Sequence, residues 1–185
     1  MKKTLLLISL CLFNYIAKAQ DASVEKSIFG IQTGILGAWI HHEAKLTNKI
    51  ALRTEIGADV GLYGRNNSTD YILGTVLTLE PRWYYNISKR STKKKRIDGN
   101  SGNFISLKTS YHPDLILASN NKNITLVSDL TIVPTWGIRR PIGKHFNYEA
   151  GIGVGYIHYF KKENVIILNE ADVAVNLHLR IGYRF

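Results

Sequence analysis

Cysteine and long apolar runs are what this chain lacks. Of 185 residues only Cys11 is cysteine, and it falls inside an N-terminal secretory signal. Lys2 and Lys3 form the charged start of that signal, Leu5 to Phe13 its apolar core, and Ala17-Lys18-Ala19 a small-residue cleavage site before Gln20. Leu10 stands where a lipoprotein signal needs a small residue, so Cys11 is expected to leave with the signal. A mature chain without cysteine has no disulfide, no thiolate nucleophile and no thiolate metal site. The signal core runs to about nine apolar residues where a spanning helix needs about 20, and no later segment reaches roughly 18. No transmembrane helix is expected.

Acidic residues are in deficit, 14 against 24 basic ones, but the deficit is local. Lys2, Lys3 and Lys18 belong to the signal, and Lys89, Arg90, Lys93, Lys94, Lys95 and Arg96 form one short run. Without these the balance is close to neutral, so basicity belongs to a single loop. The exported location excludes nucleic acid as its partner. A solvated, mobile turn is expected there, with weak attraction to anionic headgroups or periplasmic components. The rest divides into a short segment, 20–26, and one domain, 27–185.

What is there in abundance is period-two alternation. In DVAVNLHLRIGYRF (Asp172 to Phe185) the odd positions are apolar or aromatic, and Asp172, Asn176, His178, Arg180 and Arg184 occupy even ones. Similar alternation recurs around Ile50–Leu62, Tyr71–Tyr85, Ile105–Tyr111, Ile124–Arg139 and Phe146–Phe160. Repeated strands of this kind predict an all-β, up-and-down antiparallel meander. A lipocalin-like soluble barrel, carrying a ligand, keeps its apolar face inside; a membrane barrel reverses this. The polar face also carries Gly57, Gly61, Gly151, Gly153 and Gly155, as a crowded concave interior requires. The apolar face carries Trp83, Tyr85, Trp136, Phe146, Tyr183 and Phe185 near strand ends, as an interfacial girdle does. These features favour a single eight-stranded transmembrane β-barrel in the outer membrane. Tyr183 and the terminal Phe185 then read as the C-terminal signal for the barrel-assembly machinery.

With Phe185 in the periplasm, Lys161–Asn169, Pro113–Asn123 and Arg65–Asp70 become extracellular loops. Arg140–Lys144, Ile87–Asn103 and Thr47–Lys49 become periplasmic turns. Ser27–Leu46 must then supply two strands through a tight hairpin near Leu36-Gly37.

LEPRWYYNISKR (Leu79–Arg90), GNFISLKTSYHPD (Gly102–Asp114), WGIRRPIGKHFNYEAGIGVGY (Trp136–Tyr156) and LHLRIGYRF (Leu177–Phe185) carry a family resemblance. The mature chain resembles, over essentially its whole length, the small uncharacterised outer-membrane β-barrel domain family of Gram-negative bacteria. The resemblance implies architecture and location. It implies no activity and no catalytic or ligand-binding residue.

His41-His42-Glu43 is the most tempting cluster for chemistry. Adjacent strand residues point to opposite faces, so His41 and Glu43 share the interior without His42. Two ligands make an incomplete metal site, and a hydrogen-bonded pair is expected instead. Ser110 and His112 share a face near a strand end, with Asp114 beside them, the spacing a nucleophile–base pair needs. They are the weak candidates for a lipid-modifying acyl hydrolase or acyltransferase; Pro113 puts His112 where the strand breaks. Arg53, Glu55, Asp59, Glu80, Arg82, Lys108, Asp129, Arg139, Glu149, His178 and Arg180 join His41 and Glu43 on the polar face. Charges taken out of water must be paired, and this near-balanced set predicts a plugged interior. The leading expectation is a monomeric, non-enzymatic outer-membrane protein without cofactor or metal. Its neighbours are outer-membrane lipids and lipopolysaccharide, and its role lies in envelope integrity or surface interaction through its loops.

Overall fold

The computed structural model describes residues 22–65, 68–121, 124–161 and 169–185. The signal segment with Cys11 lies outside the described residues, as does most of the Lys161–Asn169 loop. The elements in chain order are β1 (Ser27–Gly34), β2 (Gly37–Lys45), β3 (Ile50–Arg65), β4 (Ser68–Trp83), α1 (Ile87–Thr92), β5 (Asn103–His112), β6 (Ile116–Ser119), β7 (Asp129–Ile142), β8 (Phe146–Tyr159) and β9 (Ala171–Arg184).

All nine strands belong to one antiparallel sheet, and eight of them form a ring. Each long strand pairs with its neighbour in the chain. The ring closes where β1 meets β9, from Gly30 opposite Arg184 to Gly34 opposite Arg180. The expected hairpin is present: Gly34 faces Gly37 across the two-residue turn Ile35-Leu36.

Strand β6 corrects the single loop expected over Pro113–Asn123. Tyr111 of β5 stands opposite Leu77, and after a break at Pro113 the chain rejoins β4 with Ile116 opposite Gly74. Proline has no N–H for the ladder, so it interrupts the strand without ending the pairing edge. The next strand also starts later than its pattern suggests, at Asp129 and not near Ile124. Leu126 turns back toward β4 instead; a Cβ added to Gly74 would meet its Cδ1 at 3.3 Å.

The pleat sorts the faces as the alternation implies. On β9, Val173, Val175 and Leu177 are 66%, 69% and 78% exposed, while Arg180 is buried. On β4, Leu77, Leu79 and Trp83 point out and Thr78, Glu80 and Arg82 point in, as does Tyr84 just past its end. Glycine serves the crowded interior directly: a Cβ on Gly137 would meet the Phe104 ring at 2.3 Å.

The connection from β4 to β5 corrects a second expectation. Ile87–Asn103 is more than a mobile turn. It folds into α1 and a 3-10 turn (Asp98–Asn100), with Lys89 and the stretch 92–96 exposed and the rest partly or fully buried. Val24, Ala51, Tyr84, Ile87 and Phe104 form a small apolar core under this cap, with Ile97 against it. Asn100 takes a left-handed backbone (φ 55°), which asparagine tolerates better than most residues. That places its side chain inside, where it accepts from the Glu25 amide at 2.8 Å and donates to Glu43 at 2.8 Å. Arg184 reaches Asp98 at 2.5 Å and Glu25 at 3.1 Å, tying the cap and residues 22–26 to β9.

Candidate functional site

The interior beneath the cap is built by register. Glu43 stands opposite Arg53, Arg53 opposite Glu80, Arg139 opposite Glu149, and Glu149 opposite Arg180. Opposite charges therefore alternate across β2, β3 and β4 and again across β7, β8 and β9, the favourable cross-strand arrangement. Arg53, Arg82, Arg139 and Arg180 meet Glu43, Glu55, Glu80 and Glu149, four cations against four anions.

The geometry is that of a closed network. Arg82 grips Glu149 with both terminal nitrogens, at 2.8 and 2.9 Å, and reaches Glu80 at 2.7 Å. Arg139 bridges Glu43 at 2.6 Å and Glu149 at 2.8 Å. Glu55 accepts from Arg53 at 2.6 Å and from Arg180 at 2.9 Å. Such two-pronged guanidinium–carboxylate contacts are the strongest of their kind. Neutral groups fill the remaining valences: Tyr84 donates to Glu43 at 3.1 Å, Ser106 donates to Glu80 at 2.6 Å, and Gln32 accepts from Arg53 at 2.6 Å. Aromatic faces cover two of the guanidinium groups, Phe104 over Arg82 and Trp39 over Arg180, at 4.3 and 3.8 Å.

Toward the other end of the ring the interior is looser. His112 meets Asp129, its cross-strand partner, at 2.7 Å through Nδ1, and Asp59 at 3.4 Å through Nε2. Trp39 donates to Asp59 at 2.7 Å. Lys108 points inward from β5 and makes neither a hydrogen bond nor an ion pair among the described residues. His178 lies between Asn176 at 3.3 Å and Glu149 at 3.4 Å.

The other candidates fall as follows. His41 and Glu43 share the interior and His42 turns out, stacked on Phe29 at 4.2 Å. No hydrogen bond joins His41 to Glu43, however, because Glu43 is committed to Arg139, Tyr84 and Asn100; His41 Nδ1 is buried without a partner. Ser110 is buried and shares a 2.9 Å hydrogen bond with Thr78, while both ring nitrogens of His112 face carboxylates. No hydrogen bond links Ser110 to His112. Tyr183 and Phe185 sit on the outer face, ring centroids 5.4 Å apart, beside Phe146. Among the described residues no group of three or more histidines or carboxylates forms a metal-holding set.

Tyr84, Gln32 and Asn100 belong to the network although sequence reasoning missed them. Tyr84 continues the even-position run of Glu80 and Arg82, so its period was a usable signal. Asn100 lies in an aperiodic connection and gave none. The chain matches no family model, no curated protein and no solved structure.

Proposed function

We propose that this ring is a transmembrane β-barrel of a Gram-negative outer membrane, exported by the N-terminal signal and monomeric. It acts without catalysis, in envelope integrity or surface interaction through its outer loops. The observation that carries the reading is the inverted distribution of polarity. Arg53, Glu43 and Glu149 are wholly buried, whereas Ile56, Ile152, Val154 and Leu177 on the outer wall are 54%, 55%, 61% and 78% exposed. An apolar surface running round every long strand far exceeds what a soluble monomer leaves in water, and matches the outward band of an outer-membrane barrel.

On this reading the capped end faces the periplasm, and the solvated Lys93–Lys95 tip lies near the inner leaflet. Outer-membrane lipids and lipopolysaccharide surround the wall, and the assembly machinery reads the β9 end. The test is heat modifiability. A closed barrel keeps its ladder in detergent until boiled and migrates faster on a gel beforehand. Identical migration with and without boiling would sink the proposal.

A further inference from the structure

The wall of the ring is not of even height. β1 and β2 turn back at Ile35-Leu36, while β3 and β9 on either side of them run on. The last β9 residue facing β1 is Arg180, opposite Gly34, and β2 leaves β3 at Asp59, with one further bond from the Val60 amide to Leu36. Among the described residues none pairs with 171–178 of β9 on the β1 side, or with 61–65 of β3 on the β2 side. A notch remains where two strands stop short. At about 3.3 Å per residue the β9 edge alone is some 25 Å long.

Two independent observations say what the notch adjoins. The turn at its floor is apolar, with Ile35 82% and Leu36 49% exposed, where a turn in water favours glycine, asparagine or aspartate. The tip therefore sits at the level of the apolar band. A cavity of about 740 Å³ also adjoins the gap, lined by the turn residues Ile35 and Leu36, by inward Lys108, Asp59 and Arg180, and by outward Leu177, Leu179 and Ile152. Strand edges in lipid must be hydrated or covered, because hydrocarbon satisfies no backbone group. A water-filled chamber opening sideways meets that requirement.

The chamber's free bonding capacity is cationic. Asp59 already accepts from Trp39 and faces His112, and Asp129 is held by His112. Among the described residues the Lys108 ammonium is uncommitted, and Arg180 Nε, like His178 Nε2, is buried without a hydrogen-bond partner. Two donors beside two nearby aspartates suit a monoanion better than a dianionic phosphate.

We propose, resting on the membrane reading above, that the notch is a lateral port for a long-chain carboxylate. Its head group binds Lys108 and Arg180, and its chain lies in the gap against Leu36, Val60, Leu177 and Leu179.

The test uses the full mature chain in detergent micelles with a fluorescent long-chain polyene carboxylate as probe. Hexadecanoate should displace the probe and hexadecanol should not. Lys108→Met should weaken probe binding about tenfold or more, the loss of one charge-assisted contact. Val60→Cys labelled with a bulky maleimide should abolish binding, and the same label at Val154→Cys, on the unbroken wall, should leave it intact. Equal displacement by hexadecanol, binding that survives Lys108→Met, or binding indifferent to the label at position 60 each overturns the port. So does a stable dimer in light scattering whose formation the position-60 label blocks, since a second copy then covers the edges. Every variant is also run with and without boiling: an unshifted wild type removes the barrel reading itself, whereas a shifted wild type that binds no probe removes only the port.

Discussion

At the scale of single residues, the arginine–glutamate network decides more than any other group of side chains. Each carboxylate there is held by several donors, and Glu43 alone meets Arg139, Tyr84 and Asn100 at 2.6, 3.1 and 2.8 Å. Glu43→Ala leaves Arg139 with one carboxylate where it had two and strands the Asn100 amide. The expected loss of unfolding stability is about 3–5 kcal/mol, measured by urea titration of the detergent-solubilised protein. Glu43→Gln keeps the volume and one acceptor and should lose less. A similar small loss for both variants would mean that the pairing is decorative. The inward charges were legible in the sequence because they recur at every second position. Their partners were not, because pairing depends on register: Arg139 finds Glu43, distant in the chain, only once the ring has closed.

At the scale of elements, β9 and the cap behave differently. β9 obeys one rule from end to end, apolar residues out and polar residues in, so in the proposed bilayer setting the two faces respond unequally. Leu179→Arg on the outer wall should cost roughly 2–4 kcal/mol near mid-membrane, whereas His178→Ala should disturb only its contacts to Asn176 and Glu149. Equal tolerance of both would reverse the face assignment. The cap follows no period, which is why its folding was illegible in a run of basic residues. Part of its hold on the ring passes through Asp98, which Arg184 of β9 contacts. The hydrogen bond from Arg96, and then the charge of Arg184, hold that carboxyl below its ordinary range. A lowered carboxyl stabilises the folded form above its unfolded pKa of about 3.9, and this contribution is lost as pH falls through the folded value. Amide protection at Gly99 and Asn100, corrected for intrinsic exchange, should therefore fall below about pH 4. In Asp98→Asn it should already be reduced at neutral pH and change less with acid. Protection in the wild type that stays flat down to pH 2 would place the anchor elsewhere, on the uncharged bond from the Glu25 amide to Asn100.

At the scale of the whole molecule, one end of the interior is shut twice. Val24, Ile87 and Phe104 close it with apolar packing, and the arginines and glutamates close the next layer with paired charge. An ion entering from the other end would have to displace Arg82 from Glu149 and Arg139 from Glu43, contacts whose rupture exposes buried charge on both sides. The gap above Ile35-Leu36, where β1 and β2 stop short of β9 and β3, lies in the wall of the ring. Its existence depends on strand lengths, so alternation revealed the hairpin without revealing the gap. The wild-type protein reconstituted in planar bilayers should accordingly give no steady ion conductance. Removing both Arg82 and Glu149 as Arg82→Ala/Glu149→Ala thins only one of the two layers, and that variant should stay closed while the cap remains docked. A stable open channel in the wild type would show that neither layer seals. An open channel in the double variant alone would assign the seal to the ion network and leave the cap a merely structural part.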